Sequence, residues 1–294
     1  METVKNSTRK ITQRWRVLLI VLIIGYVVVL VVLSTFQRYL VFQPDRTFIE
    51  PAEAGMTDFE LVKIHTSDGE TLNAWYTIQK GEKSRGKFIL FFHGNGLSLA
   101  KNRNAIANLA RYANGMLAID YRGYGGSTGV TDADGLYDDA RSTVAWLKQQ
   151  GISMENTVVV SWSLGTALAA RTARTEKVAG AVFFSPYSTI RDVAKSRFPI
   201  FPVDLLLKHN LDPAADIAHV TAPILVLHGD SDWVVFWTLG KKFFEAATGS
   251  RKMITMENDG HSFIRDPHSH AFEYLGDFLE KIAPLDQLQI TKQK

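Results

Sequence analysis

Cysteine does not occur anywhere in the 294 residues, which removes disulfides, thiolate nucleophiles and Cys-ligated zinc while leaving the cellular compartment open. Charge imbalance is missing too. The net charge is +3, and five of the basic residues, Lys5, Arg9, Lys10, Arg14 and Arg16, fall in the first sixteen positions, so a basic face for nucleic acid is not expected. No histidine pair at helical spacing joins a third ligand, and the glycines between Gly123 and Gly129 do not form G-x-G-x-x-G. Neither a metal nor a dinucleotide cofactor is therefore expected. Asp132, Asp134, Asp138 and Asp139 read as the acidic start of a helix, where the macrodipole favours them.

What the chain does have is, first, a long uncharged run. No residue between Arg16 and Arg38 is charged, and from Val17 to Leu33 only Gly25 and the Tyr26 hydroxyl interrupt apolar side chains. Residues 17–36 thus predict a transmembrane helix of about 20 residues, roughly 30 Å long. The hydrophobic part of a signal peptide is shorter, and only Val32 and Ser34 offer a small-x-small cleavage site, so an uncleaved single-pass anchor is expected. Basic residues before the span outnumber Arg38 and Arg46 after it. The positive-inside rule puts residues 1–16 in the cytoplasm and residues 40–294 on the outer, periplasmic or lumenal, face of the cell membrane.

The residues beyond that run suffice for one α/β domain. Segments 59–66 and 71–79 alternate as two strands joined at Asp68-Gly69, a dipeptide that favours hairpin turns. Segments 88–92, 116–119, 157–160, 181–184, 224–227 and 252–256 are short continuous apolar runs, as in strands buried on both faces of a parallel sheet. Helical patterns at 99–112, 132–150, 164–175, 237–247 and 268–282 fall between them. This alternation predicts a doubly wound α/β domain.

The chemistry concentrates where Val158-Val159-Val160 breaks into Ser161-Trp162-Ser163-Leu164-Gly165 and then an alanine-rich helix. A serine on a sharp strand-to-helix turn, flanked by small residues that let strand and helix pass closely, is a nucleophile elbow. Ser163 is the candidate nucleophile; its alternative role is a plain helix N-cap. Ser161 stands where glycine is usual, which fits if that position keeps an ordinary backbone conformation. Downstream, one apolar run leads into His228-Gly229-Asp230-Ser231-Asp232 and a later one into Asn258-Asp259-Gly260-His261. Nucleophile, acid, base is the chain order Ser163, Asp232, His261. Asp230 competes for the acid role, and His268 and His270, after Pro267 at a predicted helix start, compete for the base. His93 and His228, each in a His-Gly pair at a strand end, read as loop organisers.

Three longer motifs extend the pattern: His93-Gly94-Asn95 after the third predicted strand, Asp120-Tyr121-Arg122-Gly123-Tyr124-Gly125-Gly126-Ser127 after the fourth, and the stretch from His228 to Val235. From about residue 59 onward the chain resembles the α/β-hydrolases, specifically membrane-anchored serine hydrolases of the BEM46 type. Phe236 stands where that pattern commonly has proline. The resemblance implies an α/β-hydrolase fold, with a mostly parallel eight-stranded sheet, helices on both faces and a small cap. It favours Asp232 over Asp230, and implies a Ser163–His261–Asp232 triad with the backbone N–H groups of Asn95 and Leu164 as the oxyanion hole.

Only residues 186–222 separate the sixth and seventh predicted strands, room for a small cap of one or two helices and hence an open site. Within it Phe198-Pro199-Ile200-Phe201-Pro202-Val203 and Leu205-Leu206-Leu207 are apolar. They either line an acyl groove, rest near the bilayer, or pack on the core. The leading expectation is a membrane-anchored serine hydrolase acting on small-molecule or lipid-like acyl esters or thioesters through an acyl-enzyme. The alternatives are a peptidase or amidase of the same fold, for which the short cap offers Asp192, Asp204, Asp212 and Asp216, and an inactive membrane-tethered binding module.

Overall fold

The computed structural model describes residues 2–78 and 86–282, with side chains from Gln13 onward. The predicted strand end at Gln79, the side chains of Lys5, Arg9 and Lys10, and residues 283–294 of the predicted domain lie outside the described residues. One helix, α1 (Glu2–Val41), precedes the domain. Its segment Gln13–Val41 has a mean hydropathy of 3.3 in its most apolar window and is exposed along that window. Its end is not loose: Phe42, the next residue, is buried in the domain core.

Among the described residues eight strands follow: β1 (Glu60–His65), β2 (Thr71–Ile78), β3 (Phe88–Phe92), β4 (Gly115–Ile119), β5 (Thr157–Trp162), β6 (Gly180–Phe184), β7 (Ile224–Gly229) and β8 (Arg251–Met256). They form one sheet in the order β1-β2-β4-β3-β5-β6-β7-β8. Strand β2 is antiparallel to β1 and β4, and the remaining pairs are parallel. The β1–β2 turn uses Gly69 at φ +94°, a conformation glycine adopts without strain.

Strand β3 shows why the apolar runs are continuous. Phe88, Leu90 and Phe92 enter one core and Ile89 and Phe91 the other, so both faces need apolar side chains. One core is covered by α3 (Ala133–Gln149), α4 (Thr166–Thr175) and α8 (Trp237–Ala246), through Leu136, Leu168 and Phe243. The other is covered by α2 (Leu99–Ala110) and α9 (Ala271–Lys281), through Ile106 and Leu275. Each such fully buried side chain contributes about 1.5–3 kcal/mol.

Three boundaries differ from expectation. The helix expected at 164–175 begins at Thr166, because Ser163–Gly165 form a tight 3₁₀ turn. The one expected at 268–282 begins at Ala271; Asp266, preceding Pro267, is held extended at ψ 116°, as sterics before proline demand. Segment 186–222 holds three helices, not one or two: α5 (Ile190–Arg197), α6 (Val203–Leu206) and α7 (Pro213–Ile217). Helix α7 belongs to the domain, since its buried Asp216 pairs with Arg171 and Arg174 of α4 at 2.9 Å each. The cap proper is α5, α6 and the loop between them.

Candidate active site

Ser163 follows the last residue of β5 at φ +51°, a conformation that costs a non-glycine residue about 1–3 kcal/mol and persists only where its surroundings impose it. Two neighbours do so. Thr166 Oγ1 donates to the Ser163 carbonyl at 2.6 Å, and Gly165 lies so close to β3 that a Cβ there would strike the Phe92 carbonyl oxygen. Ser161, by contrast, is an ordinary strand residue between Phe92 of β3 and Phe183 of β6, so serine fits where glycine is usual. Its buried Oγ has no hydrogen-bond partner among the described residues.

Asp232 and His261 meet from the ends of β7 and β8. Asp232 Oδ2 lies 2.7 Å from His261 Nδ1 and 3.3 Å from His228 Nε2, while Oδ1 accepts the N–H groups of Val234 and Val235 at 2.9 and 2.8 Å. Burial alone would raise this carboxyl; the bonds from His228, His261 and Val235 outweigh it and hold the group well below the usual carboxylate range. An ionised carboxylate at Nδ1 requires the proton there, leaving Nε2 of His261 free to accept one. Trp162, the neighbour of Ser163, fixes the loop that carries the imidazole. Its Nε1–H donates to the His261 carbonyl at 2.9 Å, and the two rings lie 5.5 Å apart.

Two of the three competing residues, Asp230 and His270, are engaged elsewhere, and His268 is exposed. Asp230 accepts from the Asn258 N–H at 2.9 Å and braces that loop; exposed His270 faces Glu273. His228 bonds the Val235 carbonyl at 2.9 Å and His93 bonds Gly94 O at 2.7 Å, the loop-organising roles expected of them. Phe236 keeps φ at −55°, within proline's range, so the unusual residue preserves the turn. Of the acidic cluster, Asp132 caps α3 by accepting from Gly135 N at 2.8 Å. Asp139 is buried instead, and binds the Arg122 N–H and Nε at 2.8 Å each.

Asn95, whose backbone N–H is an expected oxyanion donor, is also held through its side chain. Its N–H makes no bond among the described residues. Its side chain ties three segments together: Nδ2 donates to Val41 O at 2.8 Å, and Oδ1 accepts from Gln43 N–H at 3.0 Å and Tyr124 Oη at 2.6 Å. Tyr121 Oη likewise donates to His93 O at 2.6 Å. Asp45 adds a second tie, its carboxylate accepting from Ser98 N–H and Oγ and pairing with Lys101 at 3.2 Å. Residues 41–45, leaving α1, therefore form a strap across the loop after β3. Sequence reasoning missed this strap and the part played by Trp162. The tyrosines were within a quoted motif, but nothing in the pattern announced their partners.

The cap beside this site is apolar where it is open. Phe198, Ile200 and Leu205 are 42, 75 and 86% exposed, which excludes packing on the core. A groove between cap and α1 is lined by Leu33, Leu40, Val41, Phe198, Phe201 and Leu206 among others, with Gln37 the one polar residue lining it among the described residues. The four acids of segment 186–222 are all committed: Asp192 and Asp204 of the cap to Lys242 and Lys195, Asp212 to the Ala215 N–H and Asp216 to two arginines.

The sheet order and the strained turn after β5 are those of an α/β-hydrolase, and the comparisons with known proteins agree. The profile of the alpha/beta hydrolase family matches residues 89–207. The chain is 31% identical to the uncharacterized protein Rv2307c of Mycobacterium tuberculosis, over 85% of this chain and 90% of that one. It is 26% identical to the lysophosphatidylserine lipase ABHD12 of Danio rerio, over 81% and 70% of the two chains. The Pyrococcus furiosus esterase Pf2001 superposes with a TM-score of 0.66 at 20% identity, over 83% of this chain and 98% of that one. The chain belongs to the α/β-hydrolase family.

Proposed function

We propose that the protein is a membrane-anchored serine hydrolase that cleaves lipid-like acyl esters or thioesters. The observation that carries the reading is the 2.7 Å His261–Asp232 bond, clamped by Trp162 beside a serine held at positive φ. In this mechanism Ser163 Oγ attacks the substrate carbonyl while His261 Nε2 takes its proton. The N–H groups of Leu164 and Asn95 receive the oxyanion, and His261 then protonates the departing alcohol or thiol. Water repeats the sequence on the acyl-enzyme and releases the acid. Asp232 keeps the imidazole in the required tautomer throughout.

Substrate class follows from the surroundings. The apolar cap and groove suit an acyl chain, the relative from Danio rerio is a lysophosphatidylserine lipase, and every acid in the cap has a partner, leaving none to hold a peptide amine. Helix α1 serves as a single-pass anchor, with the N-terminus cytoplasmic and the hydrolase domain outside. The test treats the full chain in vesicles with a fluorophosphonate probe, then with esters of increasing acyl length. Labelling lost in Ser163→Ala and rates rising with chain length are expected. A folded wild type that takes no label would mean a tethered binding module instead.

A further inference from the structure

Two residues of α1, Gln37 and Tyr26, hold the segment 200–208, and their spacing along the helix fixes where the cap lies relative to a bilayer. Gln37 clamps the near end: its Nε2 donates to Leu206 O at 3.0 Å and its Oε1 accepts from Lys208 N–H at 2.6 Å. Tyr26 holds the far end. Its Oη donates to Ile200 O at 3.1 Å and its ring stacks on Phe201 at 6.1 Å. Tyr26 is ten residues from Arg16 and twelve from Arg38, or about 15 and 18 Å along a helix rising 1.5 Å per residue.

The uncharged run between those arginines is about as long as the hydrocarbon layer is thick, roughly 30 Å. It has no slack. Sliding α1 outward until Tyr26 reached the headgroups would draw Arg14 and Arg16 deep into the acyl region, where guanidinium groups are strongly disfavoured. If α1 spans, the loop docked at Tyr26 goes in with it.

We propose that the cap tip, residues 198–205, is immersed in the acyl layer of the outer leaflet, so that the domain sits with its active-site face on the membrane. This inference rests on the reading of α1 as a span. The side chains agree with it. Ile200 and Leu205 are 75 and 86% exposed, a burden in water and an ordinary condition in lipid. The one charged side chain within the tip, Asp204, is neutralised by Lys195 at 2.8 Å and Arg191 at 3.6 Å, both on α5. A lipid acyl chain would then reach the groove between α1 and the cap without crossing water.

Because the chain has no cysteine, single substitutions Ile200→Cys and Leu205→Cys label uniquely in the full protein. Each carries an environment-sensitive NBD group in vesicles of phosphatidylethanolamine with phosphatidylglycerol; Lys177→Cys, on an exposed side chain just before β6 and so at the opposite end of that strand from the cap, is the aqueous reference. Quenching at 200 and 205 by nitroxides placed deep in the acyl chains, with protection from iodide, is expected, and the reverse at 177. Iodide quenching equal to that at 177, in protein that alkaline carbonate leaves in the membrane, would overturn the immersion while keeping the anchor. Release by carbonate would overturn the spanning reading and this inference with it.

Discussion

Ser163, Asp232 and His261 follow strands of a sheet covered on both faces, whereas Asn95 stands in a loop two of whose side-chain partners, Val41 and Gln43, belong to the chain leaving the N-terminal helix. The first half of the site is held by packing. Its elbow is forced by Gly165 against Phe92, and its histidine is clamped by Trp162. The second half is held by a few hydrogen bonds between distant segments. The contrast teaches that the N-terminal helix is structurally tied to the candidate site: what binds α1 to the domain also shapes the loop proposed to receive the oxyanion.

The comparison can be broken most severely on the packed side. Ser163→Ala is expected to lower ester turnover about 10⁶-fold with the thermal midpoint nearly unchanged; turnover within tenfold of wild type would remove the serine from the chemistry. Asp232→Asn should cost about 10⁴-fold in kcat, since the amide favours the wrong imidazole tautomer. Urea unfolding of Gly165→Ala should show a loss of about 3 kcal/mol or more, because the added Cβ meets backbone and not a yielding side chain.

On the strapped side the effects are smaller. Asn95→Ala should lower kcat on a soluble ester by about 10²-fold at little cost in KM, the effect of a loop displaced by about 1 Å; an unchanged kcat would show that the loop stands without its strap. Acid should loosen the same strap. Burial tends to raise the Asp45 carboxyl, but bonds from Thr47 and Ser98 outweigh it and lower its pKa from 3.8 to about 2. A depressed carboxylate contributes stability that is present above pH 3.8 and lost as pH falls through about 2, so amide exchange at residues 95–98 should accelerate in that window. Smallest of all, Ser161→Ala should stabilise by about 1 kcal/mol, since it removes a buried hydroxyl without a partner, measurable as a rise in the thermal midpoint.

Much of the fold was legible before any coordinates. Strand β3 reads as five apolar residues because two cores need them, and the pair Asp68-Gly69 marks the turn between β1 and β2. The candidate nucleophile and acid were legible because each follows such a buried strand within a short motif; the base follows β8, an edge strand that is largely exposed and carries Lys252 and Thr255, so there the short motif alone marked it. Less visible was the division of segment 186–222, where α7 joins the domain because Asp216 finds Arg171 and Arg174 on another helix. Asp139 reads as a helix-start acid until Arg122, seventeen residues earlier, is found bonded to it.

By itself, then, the sequence determined the alternation of strand and helix, the strained serine turn and the uncharged helix at the N-terminus. Backbone sterics, hydrophobic period and charge spacing act over a few residues and leave a local record. Only the tertiary structure decided that Asn95 binds Val41, that Trp162 clamps the His261 loop and that Tyr26 meets Ile200. Each of these is one or two contacts between residues more than fifty positions apart. Such a contact requires no particular neighbours in the chain, so it imprints no period and no motif, and it exists only once the sheet and the cap have brought the partners together.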